Sequence, residues 1–317
     1  MTENRNPKIV FMGTPEIAVT CLDRLVRGGV DVAAVVTRID KPQGRHAILT
    51  SPPVKVYADE HGIPVLQPKT LRDEAFAAWL KMTDPDLILV VAFGMILPEN
   101  VLAYPKYGCI NVHASLLPKY RGAAPMQRAI MAGESETGVT IMYMDAGLDT
   151  GDMIFRRSTP IKSDDTLETV HDRMAEMGAE LLFETVCQIK EGKPLPREKQ
   201  NGDLAIYAAK IERADAKIDF ARPARELDCL IRALTPIPYA FFTRTDGTTV
   251  KVLSARPAKG EGTPGAVLST SDGKDGFIRV ACGDGALDLL ALKPEGKGAM
   301  TAAEYLRGRK VAVGEAL

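Results

Sequence analysis

The chain opens as an alternation of short apolar runs and amphipathic stretches. Residues 8–12 (KIVFM) form a near-continuous apolar run, the pattern of a parallel strand buried on both faces. Gly13-Thr14-Pro15 ends it, and Ile17, Leu22, Leu25 and Val26 then recur at helical spacing. The pattern predicts strands over 32–37, 64–66 and 86–92, the last (DLILVVA) being the most apolar, with helices over 53–61 and 71–82 between them. Further strands are predicted over 109–113, 139–144 and 153–160, and helices over 124–132 and 166–191. Regular strand–helix alternation predicts an α/β fold with a doubly wound, mostly parallel sheet; the return strands after 139 predict one antiparallel excursion. Residues 38–52 carry no period and read as a long, moderately basic loop.

After residue 192 the pattern changes. Residues 193–212 are polar and Pro-rich and read as a linker, which gives a catalytic domain over 1–192 and a C-terminal domain over 213–317. In the latter a helix near 222–234 precedes short β runs at 239–244, 249–256, 265–269, 277–281 and 286–292, separated by Gly and Asp turns. That predicts a small OB-like β-barrel.

Composition narrows the picture only in places. A length of 317 residues suits two domains. A net charge of −1 marks no global polyanion binder, although Arg222, Arg225, Arg232, Arg244, Lys251, Arg256, Arg307, Arg309 and Lys310 make the C-terminal domain locally basic. Cysteines at 21, 109, 187, 229 and 282 are odd in number and widely spaced, so they predict neither zinc nor redox work but small reduced apolar residues of a cytoplasmic protein. The polar N-terminus does not read as a signal peptide, and no apolar run reaches membrane-spanning length.

The candidate chemistry lies at the end of the 109–113 strand. Asn111 and His113 stand at i and i+2, hence on one face, and the strand opens at once into a Ser-Leu-Leu-Pro turn. In open α/β sheets ligands bind outside such strand ends. Asn can stabilise a carbonyl oxygen and His can move a proton, with an aspartate to orient it. Asp145, Asp149 and Asp152 all compete for that last role, and spacing does not choose among them. Gly13-Thr14-Pro15 lacks the glycines of a dinucleotide-binding loop and reads better as a tight turn with Pro opening the helix.

Taken together, VFMGTPE (10–16), SPPVK (51–55), INVHASLLP (110–118), YRGAAPMQRAI (120–130), GVTIM (138–142) and GLDTGDM (147–153) resemble the methionyl-tRNA formyltransferases, as do AKI (209–211) and RALTP (232–236) further on. The resemblance implies formyl transfer from 10-formyltetrahydrofolate to the α-amine of methionyl-initiator tRNA by a cytoplasmic monomer, with no metal. It implies a catalytic trio of Asn111, His113 and Asp149, so it selects the first of the LDTGD aspartates. It implies folate contacts at Ser115, Leu116, Leu117 and Pro118 and at the strand end Phe93, Gly94 and Met95. It implies tRNA contacts at Arg45 in the 38–50 loop and at Gly13, Thr14 and Pro15. Three positions depart from the family pattern: the loop tip GRHAIL (44–49) lacks a lysine run, Ile17 stands where an aromatic residue is common, and Ile237 replaces a frequent Trp, which reads as a packing change. Two competing functions are formyl transfer to a small amine and RNA binding by an inactive formyltransferase domain.

Overall fold

The structure is a computed structural model and describes residues 6–43 and 47–317. Contacts divide the chain into two units, one of Met1–Gly122, Thr137–Thr159 and His171–Tyr207, the other of Ala123–Glu136, Pro160–Val170 and Ala208–Leu317. Two segments from within the first 192 residues, Ala123–Glu136 and Pro160–Val170, thus cluster with the C-terminal residues.

The strands of the first half are β1 (Ile9–Gly13), β2 (Val32–Val36), β3 (Lys41–Gln43), β4 (Ile48–Thr50), β5 (Val65–Leu66), β6 (Leu87–Val91), β7 (Cys109–His113), β8 (Arg121–Gly122), β9 (Glu136–Tyr143) and β10 (Met153–Pro160). Seven of them form one sheet in the order β10-β9-β7-β6-β1-β2-β5. The ladder from β5 through β2, β1 and β6 to β7 is parallel, and β9 runs antiparallel to β7, the expected single excursion. Every residue of β1 and β6 is buried, as their unbroken apolar runs require of strands covered on both faces. The helices α1 (Glu16–Arg27), α2 (Pro53–Glu60), α3 (Glu74–Thr83), α5 (Pro125–Met131) and α6 (Leu167–Lys190) follow the predicted periods, whereas the one-turn helix α4 (Glu99–Leu102) is not among those predicted. Val10, Met12, Val36, Phe76, Leu80, Ile88 and Val90 share one core cluster, joining strand and helix residues.

The chain runs outward from β1 to β2 and β5, then returns to the other side of β1 as β6. The order therefore reverses between β1 and β6, where an open sheet leaves a crevice at its carboxyl edge. Gly13 pairs with Val91 there, and Val90 with Asn111, so the turns after β1, β6 and β7 leave the sheet side by side.

After the short β11 (Tyr207–Ala208), the C-terminal unit holds β12 (Ala240–Thr243), β13 (Thr249–Ala258), β14 (Val267–Ser271), β15 (Phe277–Ala281), β16 (Ala286–Pro294) and β17 (Met300–Thr301), with α7 (Ala224–Ala233) and α8 (Ala302–Gly308). Strands β12 to β17 form an antiparallel sheet in the order β12-β13-β16-β15-β14, with β17 beside β16. Leu227, Leu230 and Ile231 of α7 pack with Val250, Val252, Val280, Leu287 and Leu289.

The structure departs from the sequence reading at further points. Residues in the 38–52 loop form a hairpin of β3 and β4, with Lys41 opposite Thr50. Its side chains carry no apolar period because Ile48, Leu49 and Thr50 are all exposed. Asp40 anchors its base, and the Gln67 amide and Lys55 ammonium hold that carboxyl below the usual carboxylate range. Residues 193–207 are not a free tether: Glu198 exchanges two backbone hydrogen bonds with Met153, at 2.8 and 2.9 Å. Pro15 is the N-cap of α1 rather than its first residue. Ile237 is 72 % exposed, so the packing change expected at this position lies instead at the surface. Last, α8 begins with a capping box between Thr301 and Glu304, a signature visible in the sequence that the β-rich surroundings concealed. The cysteines are all free thiols, and burial pushes Cys21 and Cys109 up to about 12.

Gly13 sits where three elements meet. A Cβ there would lie 2.7 Å from Ala18 Cβ and Phe11 Cε1 and 3.1 Å from the Val91 carbonyl. Gly13→Ala is expected to destabilise the protein by about 1–3 kcal/mol through overpacking, read as a lower urea midpoint at unchanged slope.

Candidate active site

The site grows from the end of β7. Val112 faces α6, where a Cβ on Gly178 would stand 3.0 Å from its Cγ1. Asn111 and His113 therefore face the opposite side of the sheet. Asn111 is half-buried, and no described residue takes a hydrogen bond from its amide.

His113 is 6 % exposed, and its Nε2 lies 2.9 Å from the Tyr120 carbonyl. A carbonyl can only accept, so Nε2 carries the hydrogen and the neutral ring keeps its lone pair on Nδ1. Nδ1 faces Asp149 Oδ2 at 3.6 Å. That distance is long for a hydrogen bond but allows strong Coulombic coupling once Nδ1 is protonated. Catalytic contacts of this kind are often loose before substrate binds.

Of the three aspartates, Asp149 is the one beside the imidazole. Asp145 accepts from Gly147 N–H and the Thr150 hydroxyl and so builds its own loop, while Asp152 pairs with Arg197 at 3.5 Å. Asp149 Oδ2 also accepts from Gly122 N–H at 2.8 Å. Both partners of the ring have left-handed backbone, with φ of 61° at Tyr120 and 52° at Asp149. Non-glycine residues held there cost about 1–3 kcal/mol each and persist only where neighbours over-determine them. Gly151 is one such neighbour, since a Cβ on it would stand 1.9 Å from the Tyr143 carbonyl.

Thr140, opposite His113 on β9, shapes the turn that follows. Its hydroxyl donates to the Ser115 carbonyl at 2.7 Å and accepts from Leu117 N–H at 3.1 Å. Ser115 is buried and donates to the Lys119 carbonyl, and Leu117 packs against Met142 and Met153. Both side chains are thus spent inside the protein, while Leu116 and Pro118 stay half-buried.

The turn after β6 has a similar division. Phe93 is buried in the core cluster, Gly94 has φ of 77° and Met95 is partly buried. The Thr14 hydroxyl donates to the Phe93 carbonyl at 2.9 Å, joining the Gly13-Thr14-Pro15 turn to residues 93–95 across the sheet's switch point. Arg38 donates to the Gly94 carbonyl at 3.3 Å. Arg45 lies outside the described residues. Sequence reasoning missed Thr140 and Gln200, whose amide reaches the Asp149 loop; neither has a local signal, because each acts through residues distant in the chain.

A strand-end Asn and a His–Asp pair on a switch-point crevice suit chemistry at a carbonyl carbon. A family model for formyl transferase matches residues 7–186, and one for the formyl transferase C-terminal domain matches residues 210–310. Solved structures with the same fold include HypX from Aquifex aeolicus in complex with tetrahydrofolic acid, at 17 % identity and a TM-score of 0.62, covering 95 % of this chain and 47 % of that one. The N-formyltransferase from Helicobacter canadensis, in complex with folinic acid and dTDP-3-aminofucose, has 19 % identity and a TM-score of 0.64, covering 89 % of this chain and 98 % of that one. The class is thus that of the formyl transferases.

Relatives narrow it. The methionyl-tRNA formyltransferase of Citrifermentans bemidjiense is 49 % identical over 97 % of this chain and 95 % of its own length. That of Pseudomonas putida is 48 % identical over 98 % of this chain and 99 % of its own. The chain belongs to the methionyl-tRNA formyltransferase family.

Thr140→Val keeps shape but leaves the Ser115 carbonyl and Leu117 N–H unpaired in a buried turn. It is expected to cost about 1–3 kcal/mol, while Thr140→Ser restores most of that in the same urea titration.

Proposed function

We propose that the chain transfers the formyl group of 10-formyltetrahydrofolate to the α-amine of methionyl-initiator tRNA, giving N-formylmethionyl-tRNA for translation initiation. The observation that carries the chemistry is the His113 Nδ1–Asp149 pair at 3.6 Å, at the strand end that also presents Asn111. Full-length similarity to methionyl-tRNA formyltransferases supports the acceptor.

The donor set fits a formylated folate. The Asn111 amide offers N–H groups to a carbonyl oxygen, and the 93–95 and 115–118 turns offer backbone and half-buried apolar surface beside it. As the amine nitrogen bonds to the formyl carbon, negative charge develops on the formyl oxygen, where Asn111 N–H donates. With its Nε2–H held by Tyr120, His113 is not that oxygen's donor in this arrangement; its free function is at Nδ1. Nδ1 takes the proton the attacking amine must lose, and Asp149 stabilises the resulting imidazolium, an attraction of about 4 kcal/mol at 4 Å in a medium of intermediate dielectric. The same proton passes to the departing folate nitrogen as its bond to the formyl carbon breaks, so His113 ends as it began.

In this reading the C-terminal antiparallel sheet coils into an OB-like barrel. The register shifts of β13 between Val252 and Ala255 support that, since bulges add twist and bend. Its basic residues and Arg45 would contact the tRNA. The monomeric state and cytoplasmic location follow from the same reading; among the described residues no helix is long and apolar enough to cross a membrane.

Purified protein is expected to deformylate 10-formyltetrahydrofolate only when methionyl-initiator tRNA is supplied, with formylmethionyl-tRNA as product. Turnover on a free amino sugar nucleotide without tRNA would point to a small-amine acceptor instead. Asn111→Ala is expected to lower kcat by about 10²–10³, or about 2.7–4 kcal/mol of barrier, with folate KM little changed.

A further inference from the structure

Gln200 lies 51 residues beyond Asp149 in the chain, yet its half-buried side chain meets that loop directly. Its Nε2 donates to the carbonyls of Asp149 and Gly151, both at 2.8 Å. Its Oε1 accepts from Arg121 Nε at 3.0 Å and from Arg121 Nη2 at 2.8 Å. Carbonyls only accept and a guanidinium only donates, so the amide has one possible orientation, and both hydrogens and both lone pairs are engaged.

These contacts join the two segments that hold His113. Arg121 stands between Tyr120, whose carbonyl takes the ring's Nε2–H, and Gly122, whose N–H holds Asp149 Oδ2. On the other side Gln200 ties the carbonyls flanking Thr150, in the turn where Asp149 is left-handed. Gln200 is itself anchored, because Glu198 is hydrogen-bonded to Met153 two residues upstream. The nearest alternatives do not reproduce these contacts. Glu would turn a carboxylate oxygen toward two carbonyl oxygens, Asn is one methylene short, and Met fills the volume without a donor.

We infer that Gln200 is a positioning residue that sets the Asp149 carboxylate against His113. The inference rests on the proposed role of Asp149 in formyl transfer. Gln200 touches neither substrate in this role; it acts on the proton-holding pair through the backbone of the 149–151 turn.

The test is a double-mutant cycle in the full-length enzyme, with kcat and KM for folate and methionyl-tRNA measured for Gln200→Glu, Gln200→Met and Asp149→Ala, singly and combined. Either Gln200 variant is expected to lower kcat by about 10–100-fold, the scale of outer-layer partners of an active-site ligand, with both KM values unchanged. In the Asp149→Ala background the same substitutions are expected to cause no further loss, because groups that act as a unit are not additive. An equal further loss in that background would make Gln200 merely structural and overturn the inference, as would wild-type kcat in both single variants. Loss of native circular dichroism in both variants would do the same. Wild-type activity in Asp149→Ala would instead remove the role of Asp149 and the inference with it, so the two failures are distinguishable.

Discussion

The hydrogen bond from His113 Nε2 to the Tyr120 carbonyl is the constraint around which the site is arranged. A buried imidazole needs a partner for its N–H, and a carbonyl partner fixes which nitrogen carries the hydrogen. With Nε2 committed, the only ring nitrogen open to chemistry is Nδ1, and it faces a carboxylate. The ring cannot turn to offer Nε2 to substrate without breaking its hydrogen bond to the Tyr120 carbonyl. Tautomer, orientation and the choice of proton-accepting nitrogen thus follow from one contact seven residues downstream of His113.

That contact comes with an unusual backbone. Tyr120 meets the ring from a left-handed conformation, and Asp149 faces the ring's other edge in the same conformation. Two such residues cost about 2–6 kcal/mol together. Hydrogen bonds worth about 0.5–1.5 kcal/mol each offset part of that: Gly122 N–H to Asp149 Oδ2, and the Gln200 amide to the carbonyls of Asp149 and Gly151. Gly151 contributes by absence, since its lack of a Cβ lets the turn lie against the Tyr143 carbonyl. The strain sits in the loops, while the buried β1, β6 and β7 ladder beneath them carries regular geometry.

What could be read from the chain follows the same division. The buried strands were legible because burial on both faces leaves an unbroken apolar run, as in LILVV of β6. Asn111 and His113 were legible because polar residues at i and i+2 break such a run at its end. The β3–β4 hairpin was not, because its residues face solvent and carry no period. Periodicity could not choose among Asp145, Asp149 and Asp152, whose distinction lies in a loop fold set by Gly122, Gly151 and Gln200. The polar, Pro-rich composition that suggested a linker at 193–212 hid Gln200, since an extended segment bonded to a sheet has the same composition as a free one.

The choice of a strand for Asn111 and His113 has its own logic. Their Cα atoms stand about 7 Å apart, two residues of rise, and both side chains project to the same side. On a helix, residues two apart would point about 200° from each other. In the proposed reaction a tetrahedral centre carries both an oxygen anion and a proton-losing nitrogen, and a strand end offers two different groups converging on it from one wall. This chemistry does not distinguish one primary amine from another. Solved structures that share the fold at 17 % and 19 % identity include a protein bound to an amino sugar nucleotide. In the proposed function, selection of a charged tRNA would come from surface that the strand end does not provide, and the similarity to the tRNA enzymes continues through the C-terminal sheet.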